Sequence, residues 1–314
     1  MKLIKQQFQV ENNHSGIRVD QVLHQLLPEY SRSKIQHWIN EGFICINRQH
    51  SKPKQKVYIG DLIDLDVPEQ IKISDKPQAV EFQIIHQDDD IFIINKPTNL
   101  VVHPAAGHAD GTLVNGLLES DPRLDQLPRA GIVHRLDKDT TGLMVVARNL
   151  RSHNWLVDQL QQRNVHREYI AIAMGVVTGG RTIETGIGRH PVKRKKMSVQ
   201  DDGKLAITHF QVARKFKNYS LINVQLETGR THQIRVHMAH IRHPLLGDPL
   251  YAGRLKIPAG ADPVLLQHIQ NFKRQALHAR CLRFEHPASH ELVSYEAPLP
   301  EDFQTMLDTL IEYD

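Results

Sequence analysis

Cysteine is scarce in this chain, with only Cys45 and Cys281 among 314 residues. They lie far apart and outside any metal-binding or redox motif, which excludes a disulfide framework, and we expect two buried, reduced thiols. Long hydrophobic runs are missing too, since no stretch approaches the ~18 apolar residues that a membrane span needs. The first residues, MKLIKQQFQV, lack the apolar core of a signal peptide. We therefore expect a soluble, cytoplasmic protein without a membrane partner.

A large excess of either charge is also lacking. The 39 Lys and Arg residues against 35 Asp and Glu give a net charge of +4, which is compatible with a nucleic-acid partner without establishing one. The 20 histidines are scattered, and none belongs to an H-x-x-x-H pattern beside an acid that would indicate zinc. The sequence contains no phosphate-binding loop and no metal cluster, so we expect neither a metal nor a nucleotide cofactor.

A small mixed unit is predicted at the start of the chain. Apolar residues with helical spacing predict a first helix that ends at Pro28. The residues on its apolar face are Val19, Val22, Leu23, Leu26 and Leu27. Ser31 is a good N-cap for a second helix, which Gly42 ends. Two short strands follow at residues 43–47 and 62–67.

A boundary is predicted in the polar segment VPEQIKISDKP, which has a proline near each end. The length of the chain allows about two domains of roughly 100–200 residues each. We expect an N-terminal strand or arm at residues 1–16, a small domain at 17–75, a linker at 76–80 and a larger domain at 81–314.

The larger domain combines predicted strands with fewer helices. The strands are expected at residues 82–86, 91–95, 143–147, 168–173, 206–212 and 221–226. The helices are expected at residues 112–119, 150–162 and 231–241. In the last strand Ile222, Val224 and Leu226 alternate with more polar neighbours, which predicts one buried face. The fold class is therefore α+β, with a mostly antiparallel sheet and flanking helices.

A charged loop, IVHRLDKDTTG at residues 132–142, runs directly into the apolar strand 143–147. Folds often present catalytic groups on such loops. Here Asp137 or Asp139 would supply a catalytic carboxylate. The alternative is an ordinary turn in which these aspartates bind nearby backbone groups. The spacing alone does not say which of the two would react.

Two further segments could supply partners to a carboxylate. In REYIA, strand alternation places Tyr169 on the same face as Arg167, although a tyrosine there is equally suited to plain packing. In ETGRTHQIRVHM, a strand ends at a glycine turn and a helix begins. Its first turn would offer backbone N–H groups, Arg230 and Thr231 to an anion. The alternative is a capped amphipathic helix with solvated arginines.

A basic loop, RHPVKRKK at residues 189–196, places five cations within eight residues. They are Arg189, Lys193, Arg194, Lys195 and Lys196. Because like charges repel, such a loop cannot fold on itself, and its cations are suited to contact with phosphates. The alternative is a solvated loop. Arg32 and Lys34 stand early in the second helix, where the helix dipole disfavours a cation. That position also indicates a function in RNA binding.

Together these segments resemble the RluA-type pseudouridine synthase family. HRLDKDTTG resembles its catalytic-loop motif, H-R-L-D-x-x-T/S-S/T-G, REYIA the segment with its active-site tyrosine, and GRTHQIRVHM its C-terminal signature. All three occur in the family's order and spacing. Residues 17–67 are similar to an S4 RNA-binding domain, so the resemblance covers nearly the whole chain. In NKPTNLVVHPAAG, Asn99 and Ala105 replace glycines that the family often has, and Asn99 tolerates a positive φ.

The resemblance implies an enzyme that converts uridine to pseudouridine without a cofactor or metal. It assigns the reactive carboxylate to Asp137, not Asp139, as a nucleophile or as a base at the ribose. It makes Arg235 the charged partner of Asp137, and it stacks Tyr169 on the uracil, with the hydroxyl relaying the C5 proton. Arg135 would fill the space left by the everted nucleotide or brace its backbone.

Three longer stretches are most similar to family members that modify the helix 69 stem-loop of 23S rRNA, namely PRAGIVHRLDKDTTGLMVVAR, RHPVKRKKMSV and LETGRTHQIRVHMAHIRHPLLGDPLYAG. We therefore expect 23S rRNA, in the large ribosomal subunit or its precursor, as the substrate of a monomeric enzyme. Two alternatives stay open: an RluA-type synthase for another rRNA site or a tRNA, and a non-catalytic S4 factor of ribosome assembly. The resemblance leaves open which uridines are modified, and whether the RNA is free or assembled.

Overall fold

The computed structural model divides the chain into two compact units, Met1–Ser74 and Asp75–Asp314. The structure describes residues 3–27, 30, 32–68, 76–104, 108–193, 195–253, 260 and 262–313. Each unit has its own hydrophobic core, and each is described by itself.

The first unit packs two helices against a small antiparallel sheet. Its elements are β1 (Leu3–Gln9), α1 (Val19–Leu26), α2 (Arg32–Asn40), β2 (Ile44–Ile46), β3 (Gln49–His50) and β4 (Leu62–Pro68). The strand order is β1-β4-β2-β3. Residues at the predicted helical spacing, such as Val19, Val22 and Leu23, are fully buried in its core. Pro28 and Ser31, the predicted end and cap of the two helices, lie outside the described residues.

A buried carboxylate ties the two helices of this unit together. Asp20 on α1 is fully buried and accepts hydrogen bonds from Arg18, Arg32 and Gln36 at 2.6–3.0 Å. Burial raises the pKa of Asp20, but these hydrogen bonds outweigh it and hold the pKa below its ordinary value. The unfavourable position of Arg32 at the start of α2 is therefore offset by a carboxylate within the same unit.

The described residues of the second unit form one ten-stranded sheet with helices. The strands are β5 (Gln83–Gln87), β6 (Ile91–Lys96), β7 (Thr141–Ala147), β8 (His166–Met174), β9 (Arg181–Arg189), β10 (Met197–Val199), β11 (Lys204–Lys215), β12 (Tyr219–Leu226), β13 (Leu277–Glu285) and β14 (Leu292–Glu296). The helices are α3 (Leu113–Ser120), α4 (Leu150–Gln161), α5 (Gln233–His240), α6 (Pro263–Asn271) and α7 (Glu301–Tyr313).

The order across this sheet is β10-β9-β11-β12-β8-β13-β7-β6-β5, and β14 pairs with β13. The pairing is antiparallel except between β13 and β7, where His278 lies opposite Thr141. The predicted α+β class with a mostly antiparallel sheet is thus confirmed. In β12 the expected alternation holds, because Ile222, Val224 and Leu226 are buried while Asn223 is exposed.

Hydrophobic layers cover both faces of the sheet. Alternate residues of β6 point to opposite faces: Phe92 and Ile94 join the core that contains α3. Ile91 and Ile93 join a second core, which contains Leu156 of α4. Because both faces are covered, β6 reads as a continuous apolar run instead of an alternating one.

The two cysteines are half-buried free thiols, so the expectation that both are buried is wrong. Cys45 lies between the buried Ile44 and Ile46, and strand alternation turns it toward the open face of the sheet. No helix among the described residues has the length and apolar character needed to cross a membrane.

Candidate active site

The charged loop before β7 presents Asp137 at the mouth of a cavity. Leu136 is buried and anchors the loop, and the backbone N–H of Thr140 donates to the Asp137 carbonyl at 3.1 Å. His134 accepts a hydrogen bond at Nε2 from the backbone N–H of Val145, at 3.1 Å. A buried leucine, a turn and a bond to the strand therefore hold the loop from both sides of Asp137.

A fully buried lysine clamps this loop to the preceding strand. Lys96, at the end of β6, donates its Nζ hydrogens to three carbonyl oxygens. These belong to Pro97 (2.8 Å), Leu100 (3.0 Å) and Lys138 (2.8 Å). Burial lowers the pKa of Lys96 to about 7, against the raising effect of Asp139 and Asp137. The sequence offered a signal for this clamp that was missed, namely a lysine at the end of an apolar strand.

Asp137 pairs with Arg235 of α5, and Arg235 in turn pairs with a second carboxylate. Arg235 Nη1 donates to Asp137 Oδ2 at 2.8 Å, while Nε and Nη2 donate to Asp248 at 2.7 and 2.9 Å. The side chains of Arg235 and Asp248 are 5% and 0% exposed, whereas that of Asp137 is 19% exposed. Burial lowers the pKa of Arg235, but the two carboxylates outweigh it and raise the pKa. The guanidinium thus stays charged and fixes one oxygen of Asp137.

Asp248 was not among the predicted site residues, although it lies in the matching stretch PLLGDPLYAG. Its Oδ1 also accepts from the backbone N–H groups of Leu250 and Tyr251 at 2.9 and 3.0 Å. Nothing in the spacing relative to Arg235 distinguishes it from an ordinary turn aspartate that binds nearby backbone N–H groups, which is a role it also has.

A histidine and a tyrosine complete the surroundings of Asp137, and neither was predicted. His232 Nε2 lies 3.9 Å from Asp137 Oδ1, and His232 Nδ1 lies 2.8 Å from the hydroxyl of Tyr251. That hydroxyl accepts from the backbone N–H of Met197 at 2.9 Å, so its own hydrogen can point to Nδ1. Burial lowers the pKa of His232, against the raising effect of Asp137. His232 sits just before α5 with φ +57°, an uncommon left-handed conformation.

The cavity beside Asp137 has a volume of about 80 Å³ and brings several predicted residues together. Tyr169, Arg235 and Arg135 line it with Asp137, and Leu136, Ile234 and Leu277 supply apolar wall. Tyr169 is 6% exposed, and burial raises its pKa above the ordinary value. Tyr169 therefore keeps its proton at neutral pH. Arg135 is exposed at the rim.

The predicted anion site at the start of α5 is altered by a side chain. The helix begins at Gln233, two residues later than predicted, and Gln233 Oε1 accepts from the backbone N–H of Arg230 at 2.9 Å. It also accepts from Thr228 Oγ1 at 2.8 Å. The backbone N–H of Arg230 is thus already bound, while its exposed side chain donates Nε to the carbonyl of Leu205.

The other predicted RNA contacts that the structure describes in the second unit are not part of the cavity lining. Arg189 is exposed at the end of β9, whereas Lys193 and Lys195 are exposed in the loop between β9 and β10. Lys196 lies over the ring of Tyr251, with Nζ 5.5 Å from the ring centroid. Arg194 and the side chain of Lys34 fall outside the described part of the chain. Arg32 is partly exposed in the first unit and bound to Asp20.

One prediction about a single position has a structural outcome. Asn99 has φ +60°, so it adopts the left-handed conformation that the expected glycine would have. Ala105 lies outside the described residues. Among the described residues, no group of three or more His, Cys, Asp or Glu side chains is arranged to hold a metal ion.

Two family models match this chain. Residues 90–240 match the model of RNA pseudouridylate synthase, and residues 17–63 match that of the S4 domain. Among solved structures, human RNA pseudouridylate synthase domain containing 4 is similar with a TM-score of 0.57 and 26% identity, over 74% of this chain and 94% of that one. Human RNA pseudouridylate synthase domain containing 1 gives a TM-score of 0.54 and 25% identity, over 72% and 86%.

Three curated proteins of the same name are similar over almost the full length. Ribosomal large subunit pseudouridine synthase D from Haemophilus ducreyi is 50% identical over 94% of this chain and 91% of its own length. The protein from Pseudomonas aeruginosa is 49% identical over 98% and 96%. The protein from Escherichia coli K12 is 46% identical over 96% and 93%.

Proposed function

Because this chain belongs to the RluA-type family of RNA pseudouridine synthases, we propose that it modifies 23S rRNA in the helix 69 stem-loop. The chain is an isomerase with an S4 domain. The rRNA part of the proposal is supported by the relatives named ribosomal large subunit pseudouridine synthase D. A substrate in the large ribosomal subunit or its precursor also implies a cytoplasmic enzyme, which we propose acts as a monomer.

The observation that carries the proposal is the carboxylate of Asp137, held by Arg235 and partly exposed to the cavity that Tyr169 lines. Pseudouridine formation breaks the bond between N1 and C1′, rotates the uracil and forms a bond between C5 and C1′. C5 loses a proton and N1 gains one, so atoms and electrons balance without an oxidant or a reductant. The reaction needs a charged carboxylate beside the ribose and a group that moves the C5 proton.

We assign the first of these roles to Asp137. Its Oδ2 accepts a hydrogen bond from Arg235. Its Oδ1 lies 3.9 Å from His232 Nε2, which is too far for a hydrogen bond. The carboxylate therefore keeps an oxygen for the substrate, as a nucleophile or as a base at the ribose. A guanidinium that stays charged and immobile costs no reorganisation when charge changes at the reacting atoms.

Tyr169 suits the second role. Its ring forms part of the cavity wall and offers a face on which a uracil can stack. Because burial raises its pKa, the hydroxyl keeps its proton and serves as a relay, not as a phenolate base.

Reaching this cavity requires that the target uridine leaves the RNA stack, at a cost of a few kcal/mol. Exposed cations can offset that cost through phosphate contacts. We propose this role for Arg230, the basic loop 189–196 and the S4 domain, which we assign to residues 17–75 after an arm at 1–16. Arg135, exposed at the rim, would brace the everted nucleotide.

The first test combines a substitution with position mapping. Asp137→Asn is nearly isosteric but removes the charge, so we expect loss of pseudouridine formation in 23S rRNA while folding and RNA binding persist. Tritium release from RNA labelled at C5 of uridine measures the turnover. The matched control is Asp139→Asn, which removes a neighbouring charge and should retain activity.

Three outcomes would contradict parts of the proposal. Normal turnover by Asp137→Asn would exclude this residue as the reactive carboxylate. Wild-type modification of another rRNA site or of a tRNA would exclude the helix 69 target. RNA binding by the wild type without tritium release would favour a non-catalytic ribosome-assembly factor.

A further inference from the structure

A second, larger cleft adjoins the Asp137 cavity and is rich in arginine. Its volume is about 570 Å³, against about 80 Å³ for the cavity. The arginines that line it are Arg129, Arg135, Arg163, Arg167 and Arg230. Glu227 is the one acid among the described residues of its lining, and it already binds Arg163 and His209, each at 2.7 Å. Four guanidinium charges are therefore left without a carboxylate in the cleft.

The two histidines of this cleft do not change that balance. Burial lowers the pKa of His103 to about 4 and that of His134 to about 3. Both are neutral near pH 7, and the positive charge of the cleft comes from arginine alone. Because arginine stays protonated near neutral pH, the cleft attracts a polyanion such as RNA whether or not its histidines are protonated.

Arg167 is the unusual member of this group because it is buried. It is 7% exposed, lies on β8 two residues before Tyr169, and borders both the cleft and the cavity. Its Nη2 donates to the backbone carbonyl of Glu227 at 3.4 Å, and its buried Nε has no hydrogen-bond partner among the described residues. No ion pair of Arg167 occurs in the described part of the chain.

A comparison with Arg235 shows how unusual this is. Arg235 is equally buried, but Asp137 and Asp248 accept from three of its nitrogen atoms. A buried guanidinium without such acceptors is costly, since burial removes its hydration and the single 3.4 Å hydrogen bond of Arg167 replaces little of it. The cost at Arg167 indicates an acceptor that arrives with the substrate.

The turn beside Arg167 leaves room for this guanidinium. Gly229 lies so close that a Cβ atom there would stand 2.9 Å from Arg167 Nη1, and no other side chain or backbone atom outside its neighbours lies within 4 Å of that position. The missing side chain therefore keeps the end of Arg167 uncovered, at the boundary of cavity and cleft.

We propose that Arg167 and the adjoining cleft form a subsite for the RNA backbone phosphate next to the everted uridine. This inference rests on the proposed function and specifies how its substrate is held. Arg135, Arg167 and Arg230 border both spaces, so the backbone of a nucleotide seated in the cavity must pass them. A guanidinium offers two parallel N–H groups to a phosphate, which is stronger and more directional than a point charge.

The competing role for Arg167 is purely local. Its charge opposes the rise in the pKa of Tyr169, so it could serve the tyrosine without touching RNA. In that case its loss would lower the turnover rate and leave the RNA affinity unchanged. A phosphate contact instead predicts an affinity loss that is coupled to one particular phosphate.

A binding cycle on the full-length protein separates these roles. The ligand is the helix 69 stem-loop RNA, with one loop phosphate at a time replaced by an uncharged methylphosphonate. Arg167→Gln should weaken binding of the unmodified RNA about tenfold or more, the usual worth of a charge-assisted hydrogen bond. At one position beside the target uridine, the methylphosphonate should weaken wild-type binding similarly and leave Arg167→Gln binding unchanged.

Two further variants complete the experiment. Arg283→Gln removes a partly exposed charge from the neighbouring strand β13, outside both linings, and should show no coupling to any phosphate. Arg167→Lys keeps the charge without the fork and should give intermediate affinity, so the same cycle can be run if Arg167→Gln misfolds. The subsite would be excluded if Arg167→Gln and the methylphosphonate lowered the RNA affinity independently at every phosphate position. It would also be excluded if Arg167→Gln bound the RNA with unchanged affinity. Binding with coupling but without pseudouridine formation would instead contradict the proposed function.

Discussion

Arg235 joins two carboxylates of different accessibility, and this asymmetry is the chemical core of the site. Asp248 is fully buried and takes two hydrogen bonds from the guanidinium, so it fixes the orientation of Arg235. Asp137 takes one and remains 19% exposed. This asymmetry supports the proposed division of roles, in which Asp248 positions Arg235 and Asp137 is left for the substrate.

We expect Asp248→Asn to lower both the stability and the single-turnover rate. Breaking a buried ion pair from one side costs about 3–5 kcal/mol, and here about 2 kcal/mol is expected because Asp137 still compensates the charge of Arg235. The rate should fall at least about tenfold, because a freed guanidinium no longer fixes Asp137. Chemical denaturation and single-turnover tritium release measure the two effects.

The matched control for that change is Asp121→Asn. Asp121 is also buried and binds two arginines, Arg123 and Arg148, but it does not line the cavity. It should lose stability to a similar degree and keep the normal single-turnover rate. An equal rate loss in both variants would mean that reduced stability, and not the position of Arg235, limits the reaction.

At the scale of elements, hydrogen bonds of Lys96 hold the end of β6 to the loop that carries Asp137. The fully buried Lys96 donates to three backbone carbonyls, and the one that belongs to Leu100 is itself buried. We expect Lys96→Met to destabilise the second unit by about 3 kcal/mol or more, since each unsatisfied buried carbonyl costs about 1–3 kcal/mol. Activity should fall with the order of the loop, which hydrogen exchange at Thr140 reports.

Lys204→Met is the control for this change, because Lys204 is exposed on β11 and loses only a solvated charge. It should leave both stability and loop exchange unchanged. If Lys96→Met instead kept normal exchange at Thr140, the three hydrogen bonds would not be what holds the loop.

The basic loop 189–196 is a second element with a separable effect. Lys193 and Lys195 are exposed, so replacing both with alanine should not affect the fold. Each phosphate contact that is lost should reduce the slope of log affinity against log salt by about 0.7–0.9. We expect the double variant to bind rRNA with a slope smaller by up to about 2, and Lys217→Ala, an exposed lysine elsewhere, to keep the wild-type slope. Identical slopes would exclude the loop from the interface.

Elements with a strong hydrophobic period were predictable from the sequence. Three elements that were not predicted, β13, β9 and α7, show what made the others harder to recognise. β13, LHARCLRFE, mixes charged and apolar residues, so its sequence shows no clear strand period. It nevertheless lies within the sheet and buries His278 beside Leu277. β9 contains Gly186 and Gly188, which disfavour a strand locally but allow Gln200 to pack closely. α7 carried a readable signal that was overlooked, with Phe303, Met306, Leu307 and Leu310 on one buried face.

The site was only partly predictable for a different reason. Asp137, Tyr169 and Arg235 stand in recognisable motifs, and the fold brings them to one cavity although Asp137 and Arg235 are 98 residues apart. Lys96 and Asp248 also lie in stretches that resemble the family, but the resemblance assigned neither of them a role. Their importance depends on burial and on which partners the fold supplies, neither of which local spacing encodes.

At the scale of the whole molecule, buried histidines and carboxylates make stability depend on pH in two separate windows. Burial lowers the pKa of His237 and of His278 to about 4, so between pH 6.5 and 4 the unfolded chain binds protons that the folded one does not. Stability therefore falls as the pH falls through this range. Hydrogen bonds outweigh burial and lower the pKa of Asp90 to about 2, so its contribution is lost only between about pH 3.8 and 2.

Replacing both histidines with glutamine should reduce the slope of the unfolding free energy in the upper window alone, where His103 and His134 still contribute. Glutamine can keep hydrogen bonds to partners such as Thr208 and Thr141, but it takes up no proton in the unfolded chain. Each histidine contributes at most about 1.4 kcal/mol per pH unit to the slope of the unfolding free energy, so the variant should lose up to about 2.7 kcal/mol per pH unit between pH 6.5 and 4. Urea unfolding at a series of pH values measures both slopes. Parallel wild-type and variant curves would mean that these rings titrate alike in the folded and unfolded chain.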